Sequence, residues 1–143
     1  MIKILKRLLL RLVTDVDPKP FFKSKIQTII ILRYDRIGDM IVSLPLCKAL
    51  KKSIPNANIT VIASSANADI SSSCNYINQT LIKPRKLVEW LSMLILLRRK
   101  KYSLAIDLNH AVTPHTIFAI RLLKPDHVAS PFKDGRWGVD GSK

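Results

Sequence analysis

The sequence has little glycine and little cysteine, and each shortage excludes familiar kinds of site. Only four of its 143 residues are glycine, and Gly38 is the single one among the first 134. Neither GxGxxG nor GxxxxGK[ST] occurs, which excludes the usual dinucleotide-binding and P-loop sites. Cys47 and Cys74 are far apart and form no CxxC pair. This argues against a disulfide framework or a zinc site and fits a reducing, cytosolic setting.

Acidic residues are scarce relative to basic ones. The chain has 24 Lys and Arg against 10 Asp and Glu, a formal net charge of +14, while 48% of its residues are hydrophobic. That apolar content excludes a disordered chain, and the length is that of one ordinary domain. A strongly basic surface favours anionic partners such as nucleic acid, acidic lipid headgroups or phosphorylated substrates, and charge alone does not choose among them.

Long hydrophobic runs are also missing. The apolar stretch at residues 91–97 is much too short to span a bilayer, and charges interrupt the first fifteen residues too often for a secretory signal. In residues 2–13, isoleucine, leucine and valine share one arc of a helical wheel, and Lys3, Lys6, Arg7 and Arg11 share the other. The pattern predicts either a helix whose basic residues contact an anionic membrane surface or a helix packed on its own domain.

Strand patterns alternate with helix patterns along the rest of the chain. We predict strands at residues 26–34, 57–64, 78–83 and 102–108, helices at 40–53, 85–101 and 114–123, and a short helical segment within 66–73. This order predicts an α/β fold with a parallel sheet. The predicted division is a basic amphipathic helix and linker at residues 1–24, the sheet domain at 25–130 and a loose, glycine-containing tail at 131–143.

A cluster of charge surrounds Gly38 in the stretch ILRYDRIGDMIVSLP, directly after the first predicted strand. In open parallel sheets the ligand crevice lies outside the carboxyl ends of the strands, so this stretch is the leading candidate site. Gly38 could take a positive φ or let a ligand approach, and the first amides of the next helix could face an anion. Alternatively, Gly38 makes a tight turn, Asp39 caps the helix, and Arg33 and Arg36 are solvated. The spacing leaves both interpretations open.

Two segments carry a resemblance to a known family. ILRYDRIGDMIVSLPLCKALKKSIPNANITVIASSANADI resembles the opening of the family-nine glycosyltransferases, the ADP-heptose:lipopolysaccharide heptosyltransferase family, whose first strand runs into an R-x-x-x-[IM]-G-D turn and a proline-bearing helix. LRRKKYSLAIDLNH resembles a later strand of the same amino-terminal domain, although Ser103 stands where that family usually has an acidic residue. The resemblance covers residues 25–130.

The resemblance implies the amino-terminal half of a GT-B enzyme, a Rossmann-like parallel sheet with flanking helices that needs no metal. Such a half mainly holds a lipid-linked glycan acceptor, and a second domain binds the nucleotide-sugar co-substrate. It implies that Asp39 is the general base of an inverting transfer, at the inner face of the bacterial cytoplasmic membrane. The implied acceptor-binding residues are Arg33, Arg36 and Gly38 after the first strand and Asp107, Asn109 and His110 at the tip of the later strand.

Several alternatives stand beside this interpretation. The chain ends after the pattern of one domain, which predicts either a truncated or split enzyme half, inactive alone and in need of a separate carboxy-terminal domain, or a non-catalytic remnant. Nucleic-acid binding rests on charge only, because no RNP pattern, zinc finger or helix-turn-helix signal occurs. His110, His115 and Asp107 match no established metal-binding spacing. Trp90 with its neighbouring leucines predicts a core stripe.

Overall fold

A computed structural model of the protein describes residues 25–111 and 113–130. The described residues form five strands and four helices. In chain order these are β1 Thr28–Arg33, α1 Ile37–Ser53, β2 Asn58–Ala63, α2 Ala68–Ser72, β3 Gln79–Ile82, α3 Leu87–Arg98, β4 Leu104–Asp107, α4 Pro114–Leu123 and β5 His127–Ala129. The predicted α/β, Rossmann-like arrangement is confirmed.

All strand pairs of the sheet are parallel, and the strands lie in the order β3-β2-β1-β4-β5. The chain moves outward from β1 through β2 to β3 and then returns to place β4 on the other side of β1. Leu32 is in register with Asp107 across that central pair. The gap between the carboxyl ends of β1 and β4 is therefore a topological switch point, where ligands of such sheets bind.

Two cores cover the two faces of the sheet, because successive side chains of a strand point to opposite faces. Ile29 and Ile31 of β1 lie in the cluster that includes Met40 and Cys47 of α1. Ile30 and Leu32 lie in the opposite cluster, which is built on α3 and α4 and includes the fully buried Trp90. β1 is thus covered on both faces, and only its carboxyl end is left for polar side chains.

Three features of the fold differ from the predictions, apart from shifts of a few residues at the ends of other elements. α1 begins at Ile37 rather than at residue 40, so Gly38 and Asp39 belong to its first turn. Gly38 does not have a left-handed φ, so of the two possibilities considered for it the positive φ does not occur; a Cβ at this position would meet open space. β5 was not predicted, because three residues between Asp126 and Ser130 show no apolar run.

Two predicted segments lie outside the described residues. The basic helix at residues 1–24, with Lys3, Lys6, Arg7 and Arg11, and the tail at 131–143 therefore stay predictions. Among the residues that are described, none belongs to a helix with the length and apolar character needed to cross a membrane.

Candidate functional site

Arg33 is the last residue of β1 and holds three elements together. Its Nε donates to the backbone carbonyl of Asp39 at 3.0 Å, and its Nη1 donates to the backbone carbonyl of Leu108 after β4. Nη1 also donates to Oδ2 of Asp35 at 3.2 Å. Because only 6% of the side chain is exposed, the guanidinium fork is committed to these partners and fixes the end of β1 against α1 and the tip of β4.

Asp39 is the third residue of α1, and its carboxylate stands at the mouth of the switch point. Its Oδ1 lies 3.4 Å from Nη2 of Arg33 and 3.1 Å from Nε2 of His110, and 21% of the side chain is exposed. The hydrogen bond from His110 lowers the pKa of the Asp39 carboxyl below 3.8, and the charge of Arg33 and the backbone amide of Arg36 act in the same direction, while desolvation opposes them. Asp39 is therefore ionised at neutral pH.

Asp107, the last residue of β4, and Asn109 in the following loop are joined by hydrogen bonds. Oδ1 of Asp107 accepts hydrogen bonds from the backbone N–H of Asn109 at 3.1 Å and from its side-chain amide at 2.9 Å. Oδ1 of Asn109 accepts in turn from the backbone N–H of Tyr34 at 3.1 Å. Both side chains are buried. They hold the loop that carries His110 against the end of β1.

The six predicted acceptor-binding residues thus fall into two groups. Arg36, Gly38 and His110 are exposed around the carboxylate of Asp39. The other three, Arg33, Asp107 and Asn109, are buried and bonded to protein groups. The side chains of this second group have hydrogen-bond partners within the protein and shape the site, and their contact with an acceptor stays a prediction.

Polar and aromatic residues that the sequence interpretation did not assign to the site also lie at this edge of the sheet. Nζ of Lys83, directly after β3, lies 5.4 Å from the ring centroids of both Tyr34 and Trp90. Burial lowers the pKa of the Lys83 ammonium, and burial together with the charge of Lys83 lowers the pKa of His115. The rule that pointed to the end of β1 applies equally to the end of β3 and could have found Lys83.

Asn67 is a second polar residue without a sequence assignment. It is fully buried, accepts from the backbone N–H of Ser64 at 2.8 Å and donates to the backbone carbonyl of Arg33 at 3.3 Å. It connects the loop after β2 to the end of β1. A polar residue in the SSANAD stretch after a strand was the available signal, but its partner in β1 is 34 residues away in sequence.

One group of described residues could bring metal ligands together. Single ligand atoms of Asp35, Asp39 and His110 lie within 4.8 Å of one another, and neither Asp107 nor His115 belongs to this group. The guanidinium of Arg33 contacts both carboxylates and already supplies the positive charge that a cation would bring. We therefore assign no metal to it.

Comparisons with known proteins identify the class of fold. No protein-family model and no curated protein matches the chain. Its structure is similar to that of ADP-heptose lipopolysaccharide heptosyltransferase II from E. coli, with 22% identity, a TM-score of 0.61, and coverage of 73% of this chain and 30% of that one. It is also similar to a glycosyltransferase family 9 protein from Veillonella parvula DSM 2008, with 17% identity, a TM-score of 0.62, and coverage of 78% and 34%.

These similarities show a glycosyltransferase-like fold, and they agree with the family suggested by the sequence. At such identities they show the fold alone. The chain spans about a third of the length of either solved structure. It therefore has the fold of one part of a family-nine glycosyltransferase.

Proposed function

We propose that this chain is the acceptor-binding half of an inverting glycosyltransferase that is inactive alone. The donor is a nucleotide-sugar of the ADP-heptose kind, bound mainly by a separate carboxy-terminal domain. The acceptor is a lipopolysaccharide core or a similar lipid-linked glycan at the inner face of the bacterial cytoplasmic membrane.

The observation that carries this proposal is the position of the Asp39 carboxylate. It is ionised, partly exposed and fixed from behind by Arg33, and it lies at the switch point between β1 and β4. The carboxyl group also interacts with the backbone amide of Arg36 at the start of α1, so it contacts the helix terminus as well as Arg33 and His110. The N-cap of α1 is in fact Arg36, whose side chain makes no capping hydrogen bond.

The chemistry needs a proton acceptor at this place. In an inverting transfer the acceptor hydroxyl attacks the sugar carbon while the diphosphate departs, and the hydroxyl proton must leave during the attack. A positioned acid–base group typically contributes about 10²- to 10⁴-fold to such a step. The stabilisation of the departing diphosphate falls to the donor domain.

Exposed apolar residues beside the carboxylate favour a covering partner. Ile37, Ile41 and Val42 of α1 are exposed, and Ile37 and Ile41 lie one turn apart on the same helix face. An apolar surface at the mouth of a polar site suits the lipid part of an acceptor or a second domain. The net charge of +14 suits phosphorylated acceptors and an anionic membrane.

The first prediction concerns Asp39→Asn in an enzyme restored by adding a matching carboxy-terminal domain. The amide keeps the size of the side chain but cannot support proton removal, so kcat should fall by about 10²-fold or more while acceptor binding stays. Steady-state kinetics with acceptor titration measures both quantities.

Asp69→Asn is the matched control, because Asp69 also lies in the first turn of a helix, is exposed, and is not a partner of Arg33 or His110. It should leave kcat unchanged. If Asp39→Asn only lowered stability and kcat per folded molecule stayed constant, Asp39 would be a structural residue and the chain a non-catalytic remnant.

A further inference from the structure

The contact between Asp39 and His110 fixes the hydrogen position on the imidazole ring. Nε2 of His110 lies 3.1 Å from Oδ1 of Asp39. An ionised carboxylate can only accept a hydrogen bond, so Nε2 must carry the hydrogen. In the neutral ring Nδ1 then holds a free lone pair. Among the described residues Nδ1 has no hydrogen-bond partner, and 76% of the side chain is exposed.

Several charged residues lie near the His110 ring. Asp39 faces it from α1, Arg33 lies behind that carboxylate on β1, and Asp35 lies in the loop after β1. Asp107, on the strand that precedes His110, is buried and bonded to Asn109. The ring is thus anchored through Nε2, while the rest of the exposed imidazole stays open to a ligand.

We propose that His110 receives the proton of the acceptor hydroxyl at Nδ1, while Asp39 orients the ring through Nε2–H and stabilises the imidazolium that forms. This inference rests on the proposed glycosyltransferase function. The oxygen lone pair of the hydroxyl forms the bond to the sugar carbon, the bond from that carbon to the nucleotide diphosphate breaks, and the diphosphate leaves with the electron pair. The hydroxyl proton stays on His110 until solvent removes it.

We assign different roles to Asp39 and His110 because the Asp39 carboxylate already interacts with two positively polarised groups. Its Oδ1 is already shared by Arg33 and His110, and both partners favour the ionised carboxylate. Because both partners stabilise its charged form, the Asp39 carboxylate is a poor proton acceptor, whereas the second nitrogen of the His110 ring can take up a proton. Carboxylate, imidazole and hydroxyl in series form the arrangement that activates hydroxyls in serine hydrolases.

The first test uses the 143-residue chain itself. ¹⁵N NMR of the neutral ring should show hydrogen on Nε2 and none on Nδ1 of His110, and Asp39→Asn should disturb that preference. His110→Ala should raise the pKa of the Asp39 carboxyl toward its ordinary value. Hydrogen on Nδ1 instead, or an Asp39 titration that does not respond to His110→Ala, would overturn the pairing and with it the proposal.

The second test separates proton acceptance from positioning in the restored enzyme. The side-chain amide of His110→Gln can replace the Nε2–H hydrogen bond to Asp39, but it has no basic nitrogen. Both His110→Gln and His110→Ala should lower kcat by about 10²-fold or more, and combining either with Asp39→Asn should add little further loss. His127→Gln on β5 is the control and should leave kcat unchanged.

Each outcome of the second test has one meaning. If His110→Gln kept wild-type kcat while His110→Ala lost it, His110 would only position Asp39, and the proposed proton transfer would be wrong. If Asp39→Asn lost transfer and both His110 variants kept it, the proposal for His110 would be wrong, but the proposed function of the site would stand. If none of these variants changed kcat, the proposed function of the site would fail as well.

Discussion

At the scale of single residues, the site depends on Arg33. Its guanidinium contacts two carboxylates and two backbone carbonyls, on Asp35, Asp39 and Leu108. These partners come from the loop after β1, from α1 and from the end of β4, so one buried side chain fixes the relative position of all three. Removing a buried ionic partner costs more than removing an exposed one, because the remaining charges stay desolvated.

Arg33→Met is expected to destabilise the chain by about 3 kcal/mol, because it leaves two carboxylates and two carbonyls without their donor. The measurement is urea unfolding of the 143-residue chain at neutral pH. Arg36→Met is the matched control, since the exposed Arg36 makes no capping hydrogen bond, and its effect should stay within about 0.5 kcal/mol. Equal effects of the two substitutions would contradict the structural role of Arg33.

The loss of stability caused by Arg33→Met should depend on pH. The pKa of Asp39 is lowered in the folded protein, so the stability from its pairing is fully present above the carboxyl group's ordinary value of 3.8. That contribution is lost as the pH falls through the lowered value. The stability difference between wild type and Arg33→Met should therefore shrink in acid. A difference that grew below pH 3.8 would contradict this pairing.

At the scale of helices and strands, most elements could be predicted, because periodicity and end signals agree there. α4 was predicted with its observed bounds: Thr113 accepts a hydrogen bond from the amide of Thr116, Pro114 occupies the first turn, and Lys124 ends the helix with a φ of 46°. The start of α1 was placed too late, since Gly38 was interpreted as a turn residue although it sits in the helix without a positive φ.

The candidate site could be located from sequence, but its contacts could not. The rule for parallel sheets placed residues 33–39 at the carboxyl ends of the strands, and the family resemblance added His110 at the tip of the later strand. The contact between Asp39 and His110 joins residues 71 positions apart, and it depends on β4 pairing directly with β1. Burial of Asp107 and Asn109 likewise depends on the loop conformation at that edge, which no local pattern encodes.

The amino-terminal segment carries a prediction at this scale. Lys3, Lys6, Arg7 and Arg11 near an anionic surface should contribute about 1 kcal/mol each, and the opposite leucine face should add apolar burial. The full chain should therefore co-sediment with anionic vesicles at low salt, and deletion of residues 1–14 should release it. Zwitterionic vesicles are the control. Equal co-sedimentation with and without the segment would show that it packs on the domain instead.

At the scale of the whole molecule, charge and fold have to be considered together. The net charge of +14 by itself would also be compatible with nucleic-acid binding. A nucleic-acid-binding protein should bind duplex DNA tightly, with a steep salt dependence, and should not respond to anionic vesicles. The proposed function predicts a glycan acceptor instead, and the structural similarity covers only 30% to 34% of the solved structures. Binding and transfer should therefore be separable properties of this chain.

The most direct test of that claim is sugar transfer measured with and without an added donor domain. The 143-residue chain alone should bind a lipopolysaccharide-core acceptor weakly and transfer no sugar from the nucleotide-sugar, because the stabilisation of the departing diphosphate comes from elsewhere. Adding a matching carboxy-terminal domain, fused or as a separate chain, should produce transfer. Transfer by the chain alone would show that one domain binds both substrates, and absence of acceptor binding would contradict the assignment of this domain as the acceptor half.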